Sequence, residues 1–239
     1  MHVSAPLVRR SPAHQGVVVA ASQLTARMRR VTVQADAMRN IAITPAQDVE
    51  LLLRDDTGRR VKRRYTIRHS RPDAGELDLD VLLHGTGPGA LWGANAQPGD
   101  AVEFQGPRGK LELRSAPSHL LVGDESAIPA IAAICEALPP HERASAVVEV
   151  RDAADQLPIE ADVHWVGRTD QAPGGAELLT AALDTVEIAE GTRAYLMGET
   201  RAMVALRGVL EGRGVAHDAI FVKGYWNLGR PGRTAGSAG

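Results

Sequence analysis

The chain changes rhythm near Ser118, and that change limits its fold more than any other feature. Before it, six short β-rich runs, "GVVVAAS", "MRRVTVQA", "VELLLRD", "RRYTIRHS", "ELDLDVLLHG" and "AVEFQGPRG", are punctuated by the turn residues of "DDTGR", "RPDAGE" and "AQPGD". Runs of this kind with no long helical pattern between them predict a six-stranded antiparallel barrel. After it, the apolar runs "HLLVG", "AVVEV", "VHWVG", "AYLMG" and "AIFVKGYW" are interleaved with helical stretches. The first is "DESAIPAIAAICEALPP", with Ser126 as expected N-cap, Pro129 in the first turn and a double proline as stop; two more are expected near 176–183 and 200–211. Strand alternating with helix predicts a parallel α/β sheet covered on both faces. The expected division is a barrel over 1–116, an α/β domain over 117–230 and a Gly-rich, disordered tail over 231–239.

Composition narrows the chemistry. Lys+Arg 27 against Asp+Glu 29 leaves a net charge of −2, so neither nucleic acid nor an anionic membrane is attracted in bulk and any basic site is local. One such site is "KRRYTIRHS", residues 62–70. Cys135 is the only cysteine, which excludes an intramolecular disulfide framework, a cysteine-ligated zinc site and a plant-type iron–sulfur centre on this chain. His14, His119, His141 and His217 show no ligand spacing, so no metal site is expected, and electron chemistry would need an organic cofactor. No apolar stretch approaches a membrane span or a leader's h-region, and a soluble cytoplasmic protein is expected.

A barrel followed by a parallel α/β domain is the layout of the ferredoxin-reductase-like flavoenzymes, an analogy that specific residues must decide. Arg63, Tyr65 and Thr66 match the R-x-Y-[ST] pattern of those proteins. A flavin needs a flat apolar partner for its ring, a hydroxyl near N5 and cations for its phosphates, and one strand here carries all three. Alternation sets Thr66 on the face opposite Arg63 and Tyr65, so either the strand bends or Thr66 acts through its backbone. "HGTGPGALWG", from His84 to Gly93, permits close backbone approach and can open a short helix whose N–H groups face an anion; it can equally be a turn with Trp92 plugging the barrel.

In order along residues 15–230 the chain carries "RRYTIR", "HGTGPGALW", "GPRG", "GDESAIPAI" and "GYWNLG". Together these resemble the motifs of the siderophore-interacting protein family, flavin-dependent ferric-siderophore reductases. The resemblance implies that Arg63, Tyr65, Thr66 and Arg68 line FAD, with His84, Gly85, Gly87, Pro88 and Trp92 near its pyrophosphate and Ser126 and Trp226 also at the cofactor. Gly89 stands where the family has alanine, so Ala90 takes that role or the helix start shifts by a residue. Asn227 stands where the family tends to have a basic residue.

For the electron donor, NADPH or NADH, "GDESAIPAI" lies where a nucleotide approaches such a sheet, which makes Asp124, Glu125 and Ser126 candidates, although Ser126 can simply cap its helix. Gly198, Glu199 and Thr200 repeat that arrangement after a later strand, and no G-x-G-x-x-G follows the first strand. Arg151 and Arg168, just past strands, are candidates for a 2′-phosphate. Bulky, often anionic ferric chelates favour local cations, and Lys223 first and Lys62 second are the candidates to meet them. The implied reaction passes electrons from NAD(P)H through FAD to a ferric siderophore and releases Fe(II). The alternatives are a ferredoxin donor, another small acceptor such as a quinone, or a non-catalytic siderophore binder. Monomer against dimer stays open.

Overall fold

The computed structural model describes residues 12–109 and 111–229, so the expected tail lies outside the described residues. Six strands form the first unit: β1 (Ala13–Gln23), β2 (Met28–Gln34), β3 (Asp48–Arg54), β4 (Arg60–Arg71), β5 (Glu76–Leu82) and β6 (Ala101–Arg108). They pair antiparallel and close as a barrel in the order β1-β2-β5-β4-β3-β6. Alternation sends Val31, Val33, Leu51, Val61, Leu77, Leu79, Val81 and Phe104 into one buried core. The helix α1 (Pro88–Asn95) leans on that core through Trp92, with Pro88 in its first turn.

The second unit is a five-stranded parallel sheet of β7 (Ser118–Asp124), β8 (Arg143–Val150), β9 (Asp162–Gly167), β10 (Arg193–Glu199) and β11 (Ile220–Trp226), in the order β11-β10-β7-β8-β9. The helix α2 (Ile128–Ala137) packs on one face, against Leu121, Ala146, Val148 and Met197. The helices α3 (Glu177–Leu183) and α4 (Thr200–Gly212) pack on the other, against Leu120, Val122, Val147 and Leu196. Successive residues of β7 thus feed opposite cores, which is why its sequence reads as one unbroken apolar run.

The expected N-cap is corrected. Asp124, not Ser126, accepts the Ser126 N–H and opens a single 3-10 turn over Glu125–Ala127, and α2 begins only at Ile128. A carboxylate beats a hydroxyl here because Asp124 stands at the strand end itself, two residues earlier, and takes both the N–H and the hydroxyl of Ser126.

The two units are tied together. Arg68 on β4 forms a two-pronged ion pair with Glu136 on α2, and Lys223 on β11 reaches Asp48 on β3 at 2.9 Å and the Ala46 carbonyl at 3.1 Å. Arg27, in the turn before β2, reaches Glu125 at 2.9 Å and Asp155 at 3.4 Å.

Candidate functional site

The strand β4 brings the first half of the site together. Its register with β3 runs without interruption from Arg54↔Arg60 to Asp48↔Thr66, and the irregularity of the strand comes only afterwards, where its register with β5 shifts between Ile67 and His69. Arg63 and Tyr65 therefore share one face and Thr66 lies on the other, as alternation requires. Tyr65 packs against Trp92 of α1 with ring centroids 5.9 Å apart. Burial pushes its phenol well above the ordinary range, against a weaker opposing pull from Arg63. Arg63 makes a single hydrogen bond among the described residues, to the Lys62 carbonyl at 2.8 Å, which leaves most of its donor fork unused.

Beside this pair His84, Gly85 and Gly87 form an exposed loop leading into α1, whose first turn no side chain caps. Gly85 has φ +59, and a Cβ at Gly85 or Gly87 would meet no atom within 4 Å, so the loop borders open space. Gly89 is the second residue of α1, and a methyl there would run into the Tyr65 hydroxyl. The helix does not start late; glycine stands at this position because the tyrosine tip fills the volume a methyl would take, and Ala90 is buried one residue on.

Thr66, buried on the opposite face, meets the sheet. Its hydroxyl is hydrogen-bonded to that of Tyr225, which donates to Met197 Sδ at 3.5 Å. Burial raises the Tyr225 phenol, with Thr66 opposing. Asp48, paired across from Thr66, is also buried; Lys223 holds its Oδ2, while Oδ1 has no partner among the described residues. A buried acceptor left open is costly, and donors such as ring N–H or ribityl hydroxyl groups suit it. An aromatic pair, an underused guanidinium, an open glycine loop at a bare helix start and an orphaned acceptor are the chemistry a flavin dinucleotide needs. The residues present fit that group.

The second half of the site differs from expectation. Asp124 is buried and accepts from Ser126 N, Ser126 Oγ, Glu199 N and Trp226 Nε1. Burial raises its carboxyl, and those donors only partly offset the effect. Glu199 caps α4 by accepting from Ala202 N at 2.8 Å and takes Leu228 N at 3.1 Å, while Thr200 donates to the Trp226 carbonyl at 2.9 Å. Gly198 has φ +153, and a Cβ there would lie 2.6 Å from Asp124 Oδ2, so glycine is what lets the two strand ends approach. These side chains bind their own chain.

Arg168 is likewise no open cation. It is only 4% exposed, 2.5 Å from Glu125 and 3.6 Å from Glu149. Burial lifts Glu149 to about 7, with Arg168 pulling it down and Asp124 and Glu125 pushing it up. Arg151 stays exposed beyond β8. Arg68 is committed to Glu136, and Lys223 to Asp48, with its Nζ also 5.2 Å from the Tyr225 ring centroid. Lys62 sits 2.7 Å from Glu50, which three cations surround: burial pushes the Glu50 carboxyl up, but Lys62, Arg108 and Arg64 bring it below its ordinary value.

The residues not singled out in the sequence are Asp48, Glu50, Glu149 and Tyr225. Glu50 left a visible signal, a lone charge inside the apolar run "VELLL". Asp48 and Glu149 left none, because their partners lie in the other unit or on another strand.

Comparison with known proteins identifies the family and the fold. A family model described as siderophore-interacting FAD-binding domain matches residues 46–111, and one described as siderophore-interacting protein matches residues 116–229. A solved siderophore utilization protein from T. fusca is 31% identical, with a TM-score of 0.83 over 92% of this chain and 94% of its own. The ferric vibriobactin reductase ViuB of Vibrio cholerae is 34% identical over 71% of this chain; the match spans 66% of that curated relative's length. The ferredoxin reductase of carbazole 1,9a-dioxygenase, 21% identical with a TM-score of 0.72 over 92% of this chain and 71% of its own, shares the fold.

Proposed function

We propose that this chain, which belongs to the siderophore-interacting protein family, is an NAD(P)H-dependent reductase that uses FAD to reduce a ferric siderophore and release Fe(II) in the cytoplasm. The observation that carries the reading is the barrel half of the site: Tyr65 against Trp92, Arg63 beside them and the open 84–88 loop running into the uncapped start of α1.

FAD would supply exchange between a two-electron donor and a one-electron ferric acceptor. The chain's own residues supply the place. Arg63 and the α1 N–H groups would hold the pyrophosphate, with His84, Gly85, Gly87 and Pro88 as the adjoining cradle. Tyr65 and Trp92 would bear on the cofactor's flat surfaces, Thr66 would present its group at the junction, and Asp48 Oδ1 would accept a hydrogen bond there. Arg64, exposed on the outer face of β4 and only loosely drawn to Glu50, would attract an anionic chelate, with Lys62 beside it held by Glu50; Lys223 would contribute by closing the junction instead.

Anaerobic absorption spectroscopy tests this. The protein with FAD is expected to show bands near about 380 and 450 nm that bleach with NADPH and return on adding a ferric siderophore. Failure to take up FAD would sink the reductase reading and favour a siderophore binder. A second reading, with a ferredoxin as donor, is favoured by one observation: Asp124 and Glu199, the carboxylates ending β7 and β10, are bound up in the chain's own contacts, and among the described residues the nearby cations Arg168 and Arg27 are paired with Glu125. Bleaching by reduced ferredoxin alone would select it.

A further inference from the structure

The segment joining β5 to β6 carries the cradle of the site, and the two ends of α1 within it are treated in opposite ways. At its start Gly87 supplies no side-chain cap, and the first turn holds no acidic residue. Pro88 has no N–H, and the Leu91 N–H is taken by the Gly87 carbonyl at 3.0 Å, so the donors that the helix itself leaves unpaired there are those of Gly89 and Ala90. At its end the unpaired carbonyls are met by one side chain from another strand. Arg29, the second residue of β2, donates from Nη1 to the Gly93 carbonyl at 3.1 Å and to that of Ala94, and from Nη2 to the Ala96 carbonyl at 2.9 Å. The last turn of α1 has no basic residue of its own, so β2 supplies the cation that a helix end favours. Among the described residues the Arg29 guanidinium makes no ion pair and is held by these carbonyls.

The start of β2 also holds the entry to the segment, where the Leu83 N–H donates to the Arg27 carbonyl at 2.7 Å. Between the two ends a Cβ on Gly93 would lie 2.4 Å from Val81 Cγ1, and Trp92 packs on the barrel core. These contacts fix how closely α1 lies on the barrel. Its tilt is fixed by the planar fork of Arg29, bonded at three points. A helix of eight residues is about 12 Å long, so a tilt of about 10° at its foot carries its start by about 2 Å, more than a hydrogen bond tolerates. Over the same length the charge of Arg29 itself is largely screened from anything bound at the start.

We propose that Arg29 is the positioning residue of the cofactor cradle: by gathering the carbonyls at the end of α1 it aims the Gly89 and Ala90 N–H groups at the pyrophosphate, without touching the cofactor. The inference rests on the reading of the barrel as an FAD site. It assigns to β2 a part in cofactor binding that no residue of the quoted motifs carries.

The experiment titrates the whole chain, freed of flavin and then refilled, with FAD and with riboflavin, which has the ring and the ribityl chain but no phosphate. Flavin fluorescence reads both. Arg29→Met keeps the stem and loses the fork; it is expected to bind FAD about tenfold more weakly and riboflavin within about twofold of wild type. The phosphorus NMR signals of bound FAD are expected to shift between wild type and this variant. Arg29→Lys keeps the charge but fills fewer of the carbonyls, so its FAD affinity is expected to fall between the two with riboflavin again unchanged, and it serves if Arg29→Met folds poorly. A role confined to stability would weaken both flavins alike, which would overturn the proposal. FAD bound as in wild type by both variants, with unmoved phosphorus signals, would overturn it too while leaving the FAD site standing. Uptake of neither flavin by wild type would overturn the FAD reading and the proposal with it.

Discussion

The two surfaces that meet at the junction spend their polar groups in opposite ways. On the barrel, among the described residues, Arg63 keeps most of its donors, the 84–88 loop borders open space and Asp48 leaves an oxygen without a partner. On the sheet, Asp124 takes four donors, Glu199 caps a helix and receives a loop N–H, and Arg168 lies buried between Glu125 and Glu149, its Nη1 alone lacking a hydrogen-bond partner among the described residues of that cluster. A residue type suited to a ligand is therefore no measure of its use; what separates the two surfaces is whether each group's hydrogen-bonding capacity is already filled. The barrel surface leaves more of its groups open to a guest, whereas the carboxylates of the sheet surface are taken up by its own chain.

The sharpest test of that contrast is Lys223. If it is a structural tie, Lys223→Met strands the buried Asp48 carboxylate and costs about 3–5 kcal/mol in denaturant unfolding, and Asp48→Asn in the same protein restores most of it. A substrate cation would instead give near-normal stability and a raised KM for the ferric chelate. Arg63 is the counterpart on the barrel. Arg63→Ala is expected to weaken FAD binding about 10- to 100-fold, read by flavin fluorescence, with the unfolding midpoint nearly unchanged. Loss of stability without loss of FAD would erase the distinction between the surfaces.

The fold was legible because its signals are local. Alternation in "ELDLDVLL", turn residues in "DDTGR" and the double proline after α2 each act within a few residues, and the strands and helices fall close to where those signals put them. Tyr65 and Trp92 each stand in a motif the sequence shows, but that the two rings meet was not legible in it. Nor was the sheet side. Asp124 and Thr200 sit at strand ends, where the ligand crevices of open parallel sheets lie, but their partner is Trp226, far along the chain and on a strand added last to the sheet. Lys223 stands close to Tyr225 and Trp226 in sequence, which suggested the pocket, yet its reach is set by β3 across the junction. Pairings across such distances leave no pattern in a single sequence.

Glu149 sharpens the contrast through pH. Its folded value of about 7 lies above that of an exposed glutamate, so the folded state binds the proton more tightly than the unfolded chain. Its contribution is fully present at low pH, where both states are protonated, and is lost as pH rises from the mid-fours through about 7, after which it is flat. Glu149→Gln is expected to remove that slope, by about 1–3 kcal/mol across the window, in unfolding curves taken from acid to neutral pH. On the barrel Asp78 has the opposite sign. Burial pushes its carboxyl up, but Arg71 and Thr32 hold it down to about 2, so its stabilisation is present above about 4 and fades as pH falls toward 2. An unchanged slope in Glu149→Gln would mean that the Arg168 cluster is charged throughout and that the sheet surface is less tightly closed than its hydrogen bonds imply.

The smallest expected effect separates helix stability from cofactor fit at Gly89. Alanine favours an exposed helix interior over glycine by up to about 1 kcal/mol, but here its methyl would meet the Tyr65 hydroxyl at the far end of a side chain that can tilt. Gly89→Ala is therefore expected to change stability by less than about 1 kcal/mol, the two terms opposing each other. FAD affinity is expected to fall a few-fold, because the ring that moves is the one facing Trp92. Tyr65→Phe in the Gly89→Ala background removes the colliding oxygen and keeps the ring, so it should recover the lost affinity. Recovery would show that glycine at 89 and tyrosine at 65 are one steric choice made for the cofactor; affinity lost equally in both would place the requirement in the backbone of the α1 start itself.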